Sequence, residues 1–301
     1  SDWSSDVCSS DLGSTTPNPR LNLKLGALGM RSEWGTSNYN ALQVGLTRRF
    51  TSHLSAQLSY SYSKSLDYGS SFSQDTAVGN NVNTENPYDT RNERGRSTFD
   101  RTHVLRINST YELPFAQNAL VKGWKVAGIW SQNTGAPTTI YTGFDRAGLA
   151  GNSGGVNRPN LAPGCSADPV IGTIAAWFDK NCYVLQPVGT IGNVGRTTVV
   201  GPAFKNLAFS LLKDTKVPQI SETFNVQFRA EFANIFNHPN LNLNANGGSN
   251  ATQVFLNGNV NPDGSLGTRN PIAGTITNRS EEHTSELQSL AYLVCRLLLE
   301  K

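Results

Sequence analysis

The sequence has little of what a helical membrane protein, a metalloprotein or a nucleic-acid-binding protein needs. It has one methionine, four cysteines and four histidines in 301 residues. A helix that crosses a bilayer needs about 20 consecutive apolar residues, and no stretch comes near that length. The net charge is only +3, and the basic residues are scattered rather than grouped. The sequence therefore argues against membrane-spanning helices and predicts no nucleic-acid partner.

Catalytic and cofactor motifs are also missing. No Cys-x-x-C motif or zinc-type Cys/His spacing is present, and no histidine accompanies a nucleophile motif. Gly189, Gly192 and Gly195 form a G-x-x-G-x-x-G pattern, but no strand–turn–helix surrounds it, as a dinucleotide site requires. We therefore predict that the chain is not an enzyme and holds neither metal nor cofactor.

Both ends of the chain resemble a translated short-read sequencing adapter. Residues 1–12 match one strand of the adapter and residues 279–301 match the other, across a barcode-sized gap. The alternative is a terminal amphipathic helix over 285–300, which is too short to span a membrane. We interpret 1–12 and 279–301 as artefacts flanking a biological segment, 13–278. We expect neither end to contact the strands.

Alternation of apolar and polar residues dominates that segment. In residues 54–63, Leu54, Leu58 and Tyr62 share one face while the serines take the other, as in a strand with one apolar face. The same period predicts six antiparallel strands, near 39–50, 54–64, 101–113, 123–134, 204–213 and 222–236.

The connections between these strands alternate in length. Short connections (51–53, 114–122, 214–222) alternate with long ones (64–100, 134–203, 237–271). Long loops are uncommon in compact soluble domains, whereas outer-membrane barrels pair short periplasmic turns with long extracellular loops. We therefore predict an all-β fold, an incomplete antiparallel up-and-down transmembrane β-barrel of six to seven strands, located in the bacterial outer membrane. A soluble β-sandwich remains the alternative, because it would bury its apolar face equally well.

Several motifs resemble one family in their order along the chain. They are SNYNALQ at 37–43, NPYD at 86–89, ERGRSTFDRTH at 93–103, ELPF at 112–115, GNVGR at 192–196 with GP at 201–202, and FRAEFANIFNHP at 228–239. Together they resemble the TonB-dependent receptors that carry a carboxypeptidase-regulatory-like domain, the Oar-like group.

The resemblance implies a receptor barrel for energised uptake of an unidentified substrate. Its implied partners are outer-membrane lipid and the TonB complex, the latter through an N-terminal part with a plug that this sequence lacks. We expect the fragment to be inactive alone. Two alternatives stay open: a passive porin or adhesin-type barrel, and a soluble carbohydrate-binding β-sandwich.

Two groups of residues stand out as candidate sites. Cys165 and Cys182 lie in the longest connection among residues that favour turns, which predicts a disulfide in a loop with little core of its own. The second group is a run of charged residues in the first long connection. It forms either a lumen-rim surface that contacts plug or substrate, or an ion-pair network that stiffens the loop; its members are Arg91, Glu93, Arg94, Arg96, Asp100 and Arg101.

Overall fold

The fold is described from a computed structural model of the chain. The structure describes residues 35–51, 53–70, 84–86, 89–114, 122–147, 157–216, 224–243, 250–261, 264–276, 278–279 and 292–299.

One antiparallel sheet of long strands dominates the described residues. Its strands are β1 (Asn38–Thr51), β2 (Leu54–Asp67), β3 (His103–Glu112), β4 (Trp124–Asn133), β5 (Phe204–Lys216), β6 (Phe224–Phe232) and β7 (Tyr292–Leu299). Each strand pairs with the next in chain order, and the two-residue strand Gly95–Arg96 also pairs with the end of β2. This up-and-down order confirms the predicted all-β fold and its six strands.

The strand boundaries differ from the prediction by a few residues, and most at the end of β6. The sequence predicts a strand to residue 236, but β6 ends at Phe232 and the chain turns. Asn234 and Asn237 have φ values of 51° and 47°, in the left-handed region that asparagine tolerates better than most residues. The apolar side chains of Ile235 and Phe236 therefore belong to a turn rather than to the strand.

The apolar face of the first strands has no protein layer against it in the described part of the chain. On β1 the side chains of Leu42 and Leu46 are 61% and 63% exposed. The sheet register places Leu46, Leu58, Ile107 and Trp130 side by side on that face. A soluble sandwich would cover such a row with a second sheet; a barrel leaves it for lipid.

The long connections gather at one end of the sheet and pack into a layer. We call the described residues of 84–102, 134–203 and 233–276 the loop layer. Small ladders inside it join Pro137–Thr138 to Val199–Val200 and Asn160–Leu161 to Tyr183–Val184. Among the described residues none of the helices is long and apolar enough to cross a membrane.

The loop layer has its own apolar core, so the expectation of a loop with little core is wrong. The buried cluster draws on the 134–203 connection and on the chain after β6: Ile140, Phe178, Tyr183, Val194, Val199, Leu243, Ala251, Val254, Phe255 and Ile276. Phe178 and Tyr183 meet edge to face, with ring centroids 5.8 Å apart. The reason is that these connections are long enough to bring apolar residues together from distant parts of the chain.

The expectation that the C-terminal end contacts no strand is also wrong. β7 pairs antiparallel with β6 from Phe224↔Leu299 to Glu231↔Tyr292. The physical reason is that the edge of β6 presents unpaired backbone N–H and C=O groups, which accept any extended segment as a partner. Tyr292 and Val294 favour strands, whereas the four leucines and Arg296 of this segment are helix formers, so pairing with the open edge outweighs the local preference. The adapter origin of residues 279–301 stays a prediction, because pairing with an open edge does not depend on the origin of the segment.

Arginine substitutions at Leu46 and at its neighbour Thr47 test which face of the sheet contacts lipid. We expect Leu46→Arg to lower the free energy of unfolding in lipid vesicles by about 2–4 kcal/mol, the cost of a basic residue at the bilayer midplane. Thr47→Arg, on the polar face of the same strand, should change it by no more than about 0.5 kcal/mol. Denaturant titration of the vesicle-inserted protein measures both. Equal effects of the two substitutions would contradict the assignment of faces.

Candidate functional site in the loop layer

The loop layer lies over the polar face of β2. Ser63 and Ser65 project from that face and are buried, at 7% and 5% exposed. The Ser63 hydroxyl donates to the Arg101 carbonyl, and the Ser65 amide donates to the Asp100 carboxylate at 2.9 Å. The neighbouring Tyr62, on the apolar face, is 51% exposed. The connection after β2 therefore folds inward over the polar face and leaves the apolar face free.

Arg196 joins the second long connection to the end of β2. Its guanidinium forms an ion pair with Asp67 and donates from Nε to the Glu93 carbonyl at 2.8 Å. A Cβ added at Gly95 would lie 2.6 Å from the Arg196 carbonyl oxygen, closer than real Cβ contacts come. Glycine at position 95 is therefore what lets the two connections meet here.

Arg158 binds two glutamates at the centre of this contact. Its Nη1 and Nη2 each donate to Glu93 at 3.0 Å, and Nη2 is also 2.8 Å from Glu85 Oε2. Its backbone amide donates to Glu85 Oε1 at 2.8 Å. All three residues are at most 3% exposed. We call Glu85, Glu93 and Arg158 the buried triad; a planar guanidinium suits such fork-like pairing.

The buried triad carries one more negative than positive charge when both carboxyls are ionised. Burial raises the pKa of Glu85 from 4.5 to about 7, although the nearby Arg158 charge and amide oppose the rise. Loss of hydration disfavours the charged form of a buried carboxyl, and here it outweighs the attraction of one shared guanidinium. Glu85 is therefore the titratable group of the triad that responds near neutral pH.

A partly open cleft of about 240 Å³ lies beside the triad. Its lining is polar and comprises Glu85, Asn86, Asp89, Asn92, Glu93, Arg158, Ile191, Gly192 and Asn193. The volume is below the roughly 300–1,000 Å³ of typical small-molecule sites. No group of three or more His, Cys, Asp or Glu in the described part of the chain has the arrangement to hold a metal ion. The cleft suits water and solvent ions, and it gives bulk solvent a route to the triad.

The structure does not bring the six predicted charged residues together as one network. Arg96 pairs with Asp100 at 2.8 Å, and Arg101 donates to the Thr98 and Asp100 carbonyls. The other three residues point elsewhere. Arg91 pairs with Asp89 at the surface, Arg94 is 3.4 Å from the Asn38 amide oxygen, and Glu93 belongs to the buried triad.

Sequence reasoning missed four residues of this site: Asp67, Glu85, Arg158 and Arg196. Arg196 closes the GNVGR motif, so its presence in a family-like segment was the available signal. The other three had none, because Arg158 contacts Glu85 and Glu93 across separations of 73 and 65 residues. Such contacts depend on how the loops pack, which no local pattern encodes.

Cys165 and Cys182 form a disulfide, with their Cα atoms 5.6 Å apart. That distance lies within the usual range for the bond. Cys182 ends the short 3₁₀ helix Lys180–Cys182 and is followed by Tyr183 of the loop core. The Ala162 amide also donates to the Cys182 carbonyl at 2.8 Å. The bond therefore ties an exposed turn to the loop core.

Comparison with known proteins identifies the class to which this fold belongs. A family model described as an outer membrane beta barrel domain matches residues 8–284. No curated protein and no solved structure matches the chain. The chain belongs to the outer membrane beta barrel domain family, and its place is the bacterial outer membrane.

Removing the shared guanidinium should open the loop layer. We expect Arg158→Met to destabilise the loop layer by on the order of 3–5 kcal/mol, because two carboxylates would remain buried without a partner. Protease cleavage between residues 157 and 203 of the detergent-folded chain reports this opening. Arg91→Met is the control: Arg91 pairs with Asp89 at the surface, and cleavage should not change. Equal cleavage of both variants would contradict a structural role for the triad.

We expect the disulfide to stabilise the loop layer and to have no effect on the folding of the sheet. Cys165→Ser/Cys182→Ser should reduce the stability of the loop layer by about 3 kcal/mol, as loss of a bridge closing a loop of this size does. The sheet should be unaffected, so the circular dichroism of the strands stays constant while loop proteolysis increases. Alkylation followed by intact mass measurement checks the bond in the unaltered chain. Two freely alkylated thiols would show that the bridge does not form.

Proposed function

We propose that the chain is part of the barrel of a TonB-dependent receptor that takes up an unidentified substrate with energy from the inner membrane. Its membership of an outer-membrane barrel family gives the setting. The observation that carries the proposal is the loop layer, which folds inward over the polar face of β2 and has its own core. An ordered layer over one end of a barrel suits a receptor that binds its substrate before transport.

Two of the family-like motifs, ERGRSTFDRTH and GNVGR, add support because they contribute contacts that hold this layer together. Arg196 of GNVGR pairs with Asp67, and Glu93 of ERGRSTFDRTH pairs with Arg158. A Cβ at Gly192 would lie 1.9 Å from the Arg158 carbonyl oxygen. Part of the resemblance therefore depends on residues that the loop layer needs.

The partners follow from the same proposal. Lipid would cover the apolar face, and the TonB complex would act through the N-terminal plug part that the resemblance implies. The chain would have no catalytic activity, and the 13–278 segment would not transport substrate by itself.

An adhesin-type barrel is the second candidate, and one observation favours it. The loop layer exposes apolar side chains, with Ile171, Ile174 and Val260 at 54%, 56% and 70%. Ile171 and Ile174 are three residues apart in one exposed turn, and exposed apolar side chains that cluster on a surface often mark contact with another macromolecule,. A passive pore would need no such surface and no plug.

The complete gene tests the proposal. We expect its reading frame to encode a plug and a TonB-contacting segment upstream of residue 13, with different codons in place of those for 1–12 and 279–301. The complete protein should form site-specific cross-links to TonB in cells. A gene without a plug, and a protein that conducts ions steadily in planar bilayers, would instead establish a passive barrel.

A further inference from the structure

The buried triad joins two long connections that are far apart in the sequence, and it lies beside the Arg196 contacts that join the same connections. Glu85 and Glu93 come from the connection after β2, and Arg158 comes from the connection after β4. The Glu85 amide also donates to Glu93 Oε1 at 3.0 Å. This hydrogen bond links two parts of the connection after β2. Any change in the charge of the triad therefore acts on the packing of both connections.

The triad has one more carboxyl group than guanidinium, and the Gly192 amide, which also hydrogen-bonds Glu85, offsets only part of the excess charge. Arg158 is shared, so two ionised carboxylates would leave one uncompensated negative charge in a buried position. The nearest other charged groups have partners of their own: Arg196 pairs with Asp67, and Asp89 pairs with Arg91. Tyr141 also lies within electrostatic range of Arg158, and as a phenol it brings no positive charge.

We propose that the triad is a proton-controlled latch on the loop layer, closed when one of its two carboxyls carries a proton and loosened when both are ionised. The cleft lined by Glu85, Glu93 and Arg158 gives solvent protons access to it. In the outer membrane the loop layer would meet the external medium, so the latch would respond to the pH outside the cell. The inference concerns the loop layer alone and holds whether uptake is energised or passive.

The direction of the response follows from Glu85. Its pKa is raised from 4.5 to about 7 in the folded chain, mainly by burial. A group whose pKa is higher in the folded state contributes stability that is complete below its unfolded pKa and is lost as the pH rises through its folded pKa. The latch should therefore be tightest below about pH 4.5 and should weaken up to and beyond neutral pH.

Hydrogen exchange at the Arg158 amide reads the latch directly, because this amide donates to Glu85 Oε1. We expect the protection of peptides covering residues 157–161 and 191–196, corrected for intrinsic rates, to fall roughly tenfold or more between about pH 5.5 and about pH 8.5. The measurement uses the full chain folded in detergent. Peptides that lie within the strands β2, β3 and β4 themselves should show no such change.

Three variants separate the latch from a general effect of pH. Glu85→Gln removes the titrating group while keeping its shape, so the loop peptides should stay protected at both pH values. Glu93→Gln leaves Arg158 with one carboxylate, Glu85, as its charged partner. The loss of hydrogen-exchange protection in the loop peptides should then occur at lower pH. Asp89→Asn is the control: Asp89 lines the same cleft, but its bonds to Arg91 lower its pKa to about 2, and the response should persist.

Two results would overturn the proposal. The first is hydrogen-exchange protection of the loop peptides that does not change with pH in the unaltered chain; this result does not depend on whether the variants fold. The second is a pH response of the same size in Glu85→Gln, because the titrating group would then lie elsewhere.

Discussion

The rest of the structure depends on an apolar sheet face against which the described part of the chain places no protein layer. In water a row of side chains such as Leu46, Leu58, Ile107 and Trp130 would need a second layer,. In a bilayer no second layer is needed, because lipid covers the apolar face. Every backbone N–H and C=O group must then be hydrogen-bonded within the sheet. Long antiparallel strands in chain order meet this requirement with the simplest connections.

The lipid-facing side of the sheet also determines what the polar face on the other side must do. Because the outer face is left to lipid, buried polar chemistry is confined to the inner face and to the loops above it. Asp67 at the end of β2 illustrates this, since it faces inward and pairs with Arg196 from a distant loop. The loop layer thus combines an apolar core with buried ion pairs, and the ion pairs fix which loops meet. Removing one partner of a buried ion pair would leave an unpaired buried charge. The ion pairs therefore favour this packing of the loops over others, although burying the charges itself costs free energy.

Sequence reasoning predicted the strands well because their signal is local. The alternation in residues 54–63 is a property of neighbours, and the connection lengths can be counted along the chain. It was less accurate where the alternation runs past a turn, as at Ile235 and Phe236, and where an apolar residue lies on the polar face, as Ile129 does opposite Asn108.

The loop layer was much less predictable, for a physical reason. Its core joins Ile140 to Phe255, and its triad joins Glu85 to Arg158, so both depend on contacts between distant segments. The six charged residues singled out in the sequence were close neighbours along the chain, but their side chains found different partners. Charge density in a loop shows that ion pairs are available; the packing decides which ones form.

Fluorescence quenching by lipid tests the central claim most directly. Trp130 lies on the apolar face in register with Ile107, whereas Trp177 packs against the loop core and donates to the Val200 carbonyl at 2.7 Å. In vesicles of lipid with brominated acyl chains, a variant that keeps Trp130 as its sole tryptophan should be strongly quenched. A variant that keeps only Trp177 should not be quenched. If bromine left Trp130 unaffected while an aqueous quencher reached it, the apolar face would not be a lipid-facing surface.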